Sequence, residues 1–179
     1  MRLFVGLRPS EEFRTALSML RTIPPSEKGG IWKMKIMVSA CLLGENCKYN
    51  GGNNRNQKLL NLLSGHELIP VCPEVVGGLP TPRVPAEIVN GIVTNRDGIS
   101  VDDAFRNGAN KALEIAMHEK PDLIILQSRS PSCGVKEIYD GTFSGKLISG
   151  RGVFAELAVQ AGFLVADLED VLKDNTYIS

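Results

Sequence analysis

Three cysteines each lie where a predicted β-strand ends. Cys41 follows the apolar run I-M-V-S-A, Cys72 follows H-E-L-I-P-V, and Cys133 lies shortly after D-L-I-I-L-Q-S. Because the carboxyl ends of parallel strands in an α/β protein converge on one crevice, we expect the three thiols to meet at one mouth. Three thiolates that leave one coordination position open suit a catalytic metal or iron–sulfur centre.

Taken singly, the loops that carry these cysteines are weak indicators of such a site. The spacing Cys41-x5-Cys47 is not that of standard zinc or ferredoxin sites, and the sequence has no paired C-x-x-C framework. A buried cysteine usually behaves as a small hydrophobic residue. Cys47 lies one loop away from Cys41, and we expect it to be a spare or resolving thiol.

Taken together, the three loops form a pattern that is specific to one protein family. The patterns C-L-L-G…Y-x-G, V-C-P-E-x-x-G-G-L-x-x-P-R…A-E and S-P-S-C-G resemble those of the bacterial family called domain of unknown function 523, whose characterised relatives are thiouracil desulfidases. The resemblance spans residues 35 to about 172. It implies a [4Fe-4S] cluster that is held by Cys41, Cys72 and Cys133 and has one iron without a protein ligand. By motif position, it also implies that Glu74 and Ser130 are catalytic.

The chemistry implied by the resemblance is removal of sulfur from a thiolated nucleobase such as thiouracil. An iron with an open site is a Lewis acid, and a thiocarbonyl sulfur is a soft ligand that suits it. Glu74 would activate water or transfer protons, and Ser130 would orient the water or the base through its hydroxyl. Sulfide leaves and oxygen takes its place, with no net electron transfer.

The remaining candidates for substrate contact are Ser132, Arg83, Glu87 and Tyr49. Each candidate has a structural alternative. Arg83 and Glu87 either pair with each other within the Pro-rich loop or contact the substrate. Ser130 and Ser132 either act on the substrate or satisfy backbone groups of their loop. Glu74 is either a catalyst or an N-cap or ion-pair partner in its loop.

Two functions from other classes compete with the desulfidase hypothesis. One is a non-catalytic domain that binds zinc or an iron–sulfur cluster for sensing, which a buried Glu74 without access to an open site would favour. The other is a thiol–disulfide redox protein that uses Cys41 and Cys47, with Cys72 and Cys133 elsewhere. A flat base would stack on Tyr49 or Phe143, and the sequence does not distinguish these two rings.

The elements that position these residues alternate between strand and helix from residue 35 onward. This order predicts an α/β fold, a Rossmann-like three-layer sandwich with a mostly parallel sheet and the cofactor site at the carboxyl ends of the strands. The predicted strands are 35–40, 67–72, 122–128 and F-L-V-A near residue 165, and the predicted helices are at about 54–64, 101–119 and 152–161. Turn signals at Asn90-Gly91, Asp97-Gly98 and Asp140-Gly141 predict a hairpin at 87–101 and a smaller one after Cys133.

The chain is predicted to divide at about residue 34. Residues 1–20 resemble a truncated start of the two-histidine cyclic phosphodiesterase/RNA ligase family, but the only histidines, His66 and His118, are followed by E-L and E-K, so neither H-x-[ST] motif is present. The segment I-P-P-S-E-K-G-G predicts a linker. We expect 1–33 to be an upstream strand–helix fragment and linker, and 34–179 to be the desulfidase-like domain.

Composition excludes several other classes of protein. With 20 Lys+Arg and 20 Asp+Glu in 179 residues, the chain has no overall basic field to attract nucleic acid, and residues 34–179 are net acidic because 1–33 carry six basic and three acidic residues. No segment approaches the roughly 18 apolar residues of a membrane span, and charges interrupt any secretory signal. We therefore expect a cytoplasmic protein with reduced cysteines, whose partner is a small thiolated base rather than a nucleic-acid polymer or a membrane.

Overall fold

The computed structural model describes residues 33–174 and Ile178 of a chain that divides into two units, Met1–Lys33 and Met34–Ser179. The predicted fragment and its resemblance at residues 1–20 lie outside the described residues, so the roles assigned to the two segments stay predictions. Within the described part, no helix is long and apolar enough to cross a membrane.

The described elements of the second unit are, in chain order, β1 (Lys35–Ser39), α1 (Ala40–Leu43), α2 (Gln57–Leu62), β2 (Glu67–Val71), α3 (Pro73–Val76), β3 (Ala86–Val89), β4 (Ile92–Asn95), α4 (Asp102–Glu119), β5 (Leu123–Leu126), β6 (Glu137–Tyr139), β7 (Leu147–Ser149), α5 (Val153–Gln160), β8 (Val165–Asp167) and α6 (Leu168–Lys173).

Four strands form one parallel sheet in the order β2-β1-β5-β8. All four residues of β5 are buried, which explains why its sequence is apolar without interruption. The chain passes from β1 to β2 on one side and later returns to β5 on the other side, so the winding reverses between β1 and β5. Ligands of open α/β sheets bind at such a reversal, outside the carboxyl ends of the strands. Cys41 follows β1 and Cys133 follows β5, so the topology places both at this crevice.

Helices cover both faces of the sheet. On one face α4 packs against α5, and on the other face α2 contacts α6. The small side chains of α4 and α5 let these helices lie close to the strands, in a buried cluster that includes Ala109, Ala112, Ala155, Ala158, Met37 and Ile124. The predicted three-layer α/β sandwich is confirmed, and its four-stranded sheet is entirely parallel.

Several element bounds differ from the prediction for local reasons. The helix predicted from residue 54 begins at Gln57, because the side chain of Asn56 accepts a hydrogen bond from the Leu59 N–H and caps the helix. The strand predicted to reach residue 128 ends at Leu126, because the Gln127 N–H donates to Ser39 Oγ. The short helices α1, α3 and α6 were not predicted.

Two hairpins lie outside the sheet. The predicted Asn90-Gly91 turn joins β3 to β4, and the positive φ angles of 50° and 83° are those that a tight two-residue turn requires. Asp97-Gly98 forms a separate turn beyond β4 rather than part of the first hairpin. A longer loop over residues 140–146, which begins at the predicted Asp140-Gly141, joins β6 to β7.

Candidate active site

The loops that follow β1, β2 and β5 enclose a cavity of about 640 Å³. This volume is typical of small-molecule sites. The predicted ligands Cys41, Cys72 and Cys133 line the cavity together with Cys47. The structure thus brings together thiols that are distant in sequence, as the strand-end positions indicated. Their role as ligands stays a prediction.

Short helices begin at two of these thiols. Cys41 lies in the first turn of α1, and Cys72 is the N-cap residue of α3, with Pro73 in the first helical position. Helix α3 lies directly on α4. The backbones are so close that a Cβ on Gly108 of α4 would overlap the Pro73 carbonyl oxygen. The absence of a side chain at Gly108 therefore lets the Cys72 loop approach the body of the domain.

The S-P-S-C-G loop that carries Cys133 is held by the amino terminus of α5. The carbonyl oxygen of Ser132 accepts hydrogen bonds from the N–H groups of Phe154 and Ala155, at 2.9 and 3.1 Å. These N–H groups have no partner within the helix, so the loop satisfies them. A Cβ on Gly152 would lie only 2.4 Å from the carbonyl carbon of Ser132, so only glycine permits this contact.

Cys47 is closer to the other thiols than its place in the sequence indicated. Interaction with the Cys41 thiol raises the pKa of Cys47 to about 11, and Cys47 in turn raises the pKa of the Cys72 thiol well above its ordinary value. Burial raises the pKa of Cys133. Since a thiol must lose its proton to bind a metal, metal binding by these residues would release protons.

Glu74 is held on both sides by other side chains. Its Oε2 binds Arg83 Nη2 at 2.6 Å and Nε at 2.7 Å, and its Oε1 accepts a hydrogen bond from Ser132 Oγ at 3.1 Å. Arg83 also donates to the Cys47 carbonyl oxygen at 3.0 Å, so it ties the Cys47 loop to α3. The alternative in which Arg83 pairs with Glu87 is wrong, because the guanidinium of Arg83 forms its ion pair with Glu74. Ser132 is 2% exposed and is not part of the cavity lining.

Ser130 lines the cavity and also orders its own loop. Its Oγ accepts hydrogen bonds from the N–H groups of Ser132 and Cys133, at 3.1 and 3.2 Å. These bonds correspond to the structural alternative considered for Ser130. In these bonds the hydroxyl oxygen is the acceptor, so the hydroxyl proton can still be donated to a group in the cavity.

Residues of both hairpins line the cavity together with the strand-end loops. Glu87 of β3 is 8% exposed, and its Oε2 accepts a hydrogen bond from the Phe143 N–H at 3.0 Å. Phe143 lines the cavity, as does Tyr49, which is 46% exposed. The carboxylate of Glu87 therefore has a hydrogen-bond partner within the protein, the Phe143 N–H.

Three polar residues of the cavity wall were not singled out from the sequence. Asn54 Nδ2 donates to Gln127 Oε1 at 2.8 Å and lies 4.0 Å from Cys41 Sγ. Gln127 directly follows β5, so the strand-end rule that selected the cysteines also applies to it. Arg129 has a positive φ of 65°, and its buried Nε has no hydrogen-bond partner. Neither feature of Arg129 has a local sequence signal.

The donor types suit an iron–sulfur cluster. Thiolates select iron–sulfur centres and other thiophilic metals, and a cavity with excess positive charge offsets the negative charge of thiolate ligands. Basic side chains outnumber acidic ones in the lining, which includes Lys48, Arg83, Arg96 and Arg129 against Glu74 and Glu87. Among residues 33–174, no three His, Cys, Asp or Glu side chains are grouped so that they could hold a metal ion. The fit therefore rests on the donor types and on their shared cavity.

Comparisons with known proteins agree with this arrangement. The family model described as 2-thiouracil desulfurase matches residues 36–170. The uncharacterized protein YbbK of Bacillus subtilis (strain 168) is 40% identical over 150 residues, which cover 76% of this chain and 99% of YbbK. The solved structure of the [4Fe-4S]-dependent thiouracil desulfidase TudS is similar with a TM-score of 0.73 and 37% identity, over 79% of this chain and 95% of TudS.

Proposed function

Because the chain belongs to the 2-thiouracil desulfurase family, we propose that it is a desulfidase that removes sulfur from a thiolated nucleobase such as thiouracil. The family match bears out the resemblance drawn from the three motifs and spans all of them. One observation carries the proposal: three motif cysteines and the carboxylate of Glu74 line the same cavity.

We infer that Cys41, Cys72 and Cys133 are the ligands of an iron–sulfur centre. Bound there, a [4Fe-4S] cluster with one iron free of protein ligands would supply a soft Lewis acid for a thiocarbonyl sulfur. The printed name of TudS, which is [4Fe-4S]-dependent, supports this assignment.

Glu74 is the group that we assign to proton transfer. Its Oε2 is bound by Arg83, and its Oε1 accepts one hydrogen bond from Ser132 Oγ, so we assign the second lone pair of Oε1 to accept a proton from water. Water adds to the thiocarbonyl carbon as Glu74 takes the proton, the carbon–sulfur bond breaks, and the protons leave with the sulfide. A thiocarbonyl and a water molecule thus give a carbonyl and hydrogen sulfide, with no transfer of electrons.

The neighbouring side chains have supporting roles in this scheme. Ser130 lines the cavity, its hydroxyl oxygen acts as the acceptor in its hydrogen bonds to the loop, and its proton would orient the water or the base. Arg83 and Ser132 hold the carboxylate of Glu74, so we assign them positioning roles in place of substrate contact. The substrate is a small free base that fits the cavity rather than a nucleic-acid polymer, and the cytoplasmic location stays a prediction from the sequence.

The competing functions meet specific difficulties. The redox hypothesis requires Cys72 and Cys133 to lie away from Cys41 and Cys47, whereas all four thiols line one cavity. A non-catalytic metal-binding domain has no need of a carboxylate at the site, whereas Glu74 lines the cavity with 14% of its side chain exposed.

Anaerobic purification followed by analysis of iron, sulfide and turnover tests the proposal. We expect about four irons per chain and release of sulfide when 2-thiouracil or 4-thiouracil is added without a reductant. A loaded protein that releases no sulfide from either compound would refute the proposed substrate. A protein that binds only zinc would refute the mechanism.

A further inference from the structure

We propose that Phe143 forms a stacking surface that selects planar, aromatic thiocarbonyl rings over non-planar ones. This inference rests on the proposed function and names the class of substrate for the same site. Phe143 lies in the loop between β6 and β7 and lines the same cavity as the loops that carry the cysteines. A planar ring bound in this cavity would share it with the cysteine thiols and with the Phe143 ring.

The position of Phe143 is fixed by two contacts with β3. The Phe143 N–H donates to Oε2 of Glu87, a carboxylate that is 8% exposed. Two residues earlier, a Cβ on Gly141 would lie 2.7 Å from the carbonyl oxygen of Ile88, so the base of the loop lies against the backbone of β3. The aromatic ring is therefore carried by a loop attached to a strand, rather than by a free loop tip.

Phe143 does not contribute to the apolar core. Of the four phenylalanines that the structure describes, Phe105 and Phe154 are buried and Phe163 packs against the core, whereas Phe143 is partly exposed at the cavity. Its φ of 56° is in the left-handed region, where a bulky side chain carries a cost in free energy. Such conformations persist where the surrounding structure imposes them, and they are concentrated at ligand sites.

A cationic side chain of the cavity lies near the Phe143 ring. The guanidinium of Arg96 lies 5.9 Å from the centroid of the Phe143 ring, and both side chains line the cavity. An aromatic face at a cavity wall attracts flat π-systems through offset stacking, an interaction that a saturated, puckered ring cannot reproduce.

Tyr49 is the other aromatic residue that the sequence offered for this role. Its side chain is 46% exposed, and Lys48 Nζ lies 5.9 Å from its ring centroid. The backbone of Tyr49 is anchored as well, because its carbonyl oxygen accepts a hydrogen bond from the Arg83 N–H at 2.7 Å. The Phe143 side chain is the less exposed of the two rings. The structure therefore favours Phe143.

Binding of uracil and of 5,6-dihydrouracil to the full-length, anaerobically loaded protein tests this inference without requiring turnover. Calorimetry would compare the wild type with Phe143→Leu, which removes the π-system, and Phe143→Tyr, which retains it. Ile148→Ala is the matched control, because Ile148 is an exposed apolar residue of the same hairpin that does not line the cavity. Tyr49→Leu tests the competing ring.

We expect Phe143→Leu to weaken uracil binding by about fivefold and dihydrouracil binding by less than about twofold. Phe143→Tyr should restore uracil binding, and Ile148→Ala should leave both affinities unchanged. The comparison of two ligands on one variant remains decisive if Phe143→Leu loosens the hairpin, because general damage would weaken both.

Equal losses for the two ligands would overturn the inference. So would a selective loss in Tyr49→Leu without one in Phe143→Leu, or a wild type that binds neither ligand. Absence of sulfide release together with Phe143-dependent uracil binding would refute the desulfidase proposal and leave the stacking inference intact.

Discussion

The guanidinium of Arg83 binds a single carboxylate oxygen, Oε2 of Glu74, through two nitrogens at 2.6 and 2.7 Å. The side chains are only 8% and 14% exposed, so solvent screens this pair little. Removal of one partner from a buried ion pair leaves an uncompensated charge. Arg83 therefore determines where the carboxylate points in the cavity.

Substitution Arg83→Lys should lower kcat by about tenfold to 100-fold with a smaller change in KM, because a single ammonium cannot reproduce both contacts and a misplaced catalytic group loses rate. Steady-state sulfide release, with iron content measured on the same samples, checks this. Arg151→Lys is the matched control, since Arg151 forms an exposed pair with Glu156. A rise in KM alone would indicate instead that Arg83 binds the substrate.

Replacement of single cysteines by alanine should divide the four thiols into two classes. Cys41→Ala, Cys72→Ala and Cys133→Ala should each reduce iron to a small fraction of the wild-type value, because each removes one of the proposed ligands. Cys47→Ala should retain about four irons. Iron analysis and absorption spectra after anaerobic reconstitution provide the measurement. Loss of the cluster in Cys47→Ala would show that the ligand set assigned here is wrong.

Substitution Gly108→Ala should destabilise the protein by about 2–4 kcal/mol, because the added methyl group meets the backbone of Pro73 rather than a movable side chain. The displacement of α3 should also reduce cluster content, since Cys72 directly precedes that helix. Denaturant unfolding of the variant and of Asn110→Ala, an exposed neighbour on α4, checks this. Equal stability of the two variants would contradict the close approach.

The pH dependence of stability should include a contribution from His66. Burial lowers the pKa of His66, and its Nδ1 accepts a hydrogen bond from the Met34 N–H at 3.1 Å. The folded state thus binds the proton more weakly than the unfolded state. This contribution to stability is complete above the unfolded pKa of about 6.5 and is lost as the pH falls toward the lower folded value.

An NMR titration should therefore give His66 a pKa below 6.5, and His66→Gln should flatten the decline in stability between about pH 7 and pH 5. A folded-state pKa above the ordinary histidine value would reverse the sign of this contribution and contradict the account.

How well each feature could be predicted from the sequence depended on whether it is formed by residues that are close together in the chain. The Asn90-Gly91 turn and the apolar strand β5 depend on local residues, and both were predicted correctly. The strand-end rule placed Cys41 and Cys72 at one crevice, because these residues follow closely after β1 and β2 and sheet topology carries those strand ends to the same edge. Cys133 lies seven residues beyond β5, and its position also depends on the contact of its loop with α5.

Contacts that depend on loop conformation were not predictable. Arg83 is four residues from Glu87 and nine from Glu74, yet it pairs with Glu74 because the Pro-rich loop folds back onto α3. Cys47 approaches Cys41 and Cys72 through an irregular loop whose path has no periodic pattern. The helices α1 and α3 span four residues each, which is too short for a helical period to appear in the sequence.

Turnover of 2-thiouracil in water labelled with oxygen-18 tests the central claim most directly. The loaded wild-type protein, without any reductant, should convert the thione to uracil that carries the label from water, with sulfide formed in equal amount. Glu74→Gln should retain the cluster and lose about 100-fold or more in kcat. Uracil without the label, a requirement for electrons, or an undiminished rate in Glu74→Gln would contradict hydrolytic desulfuration by this site.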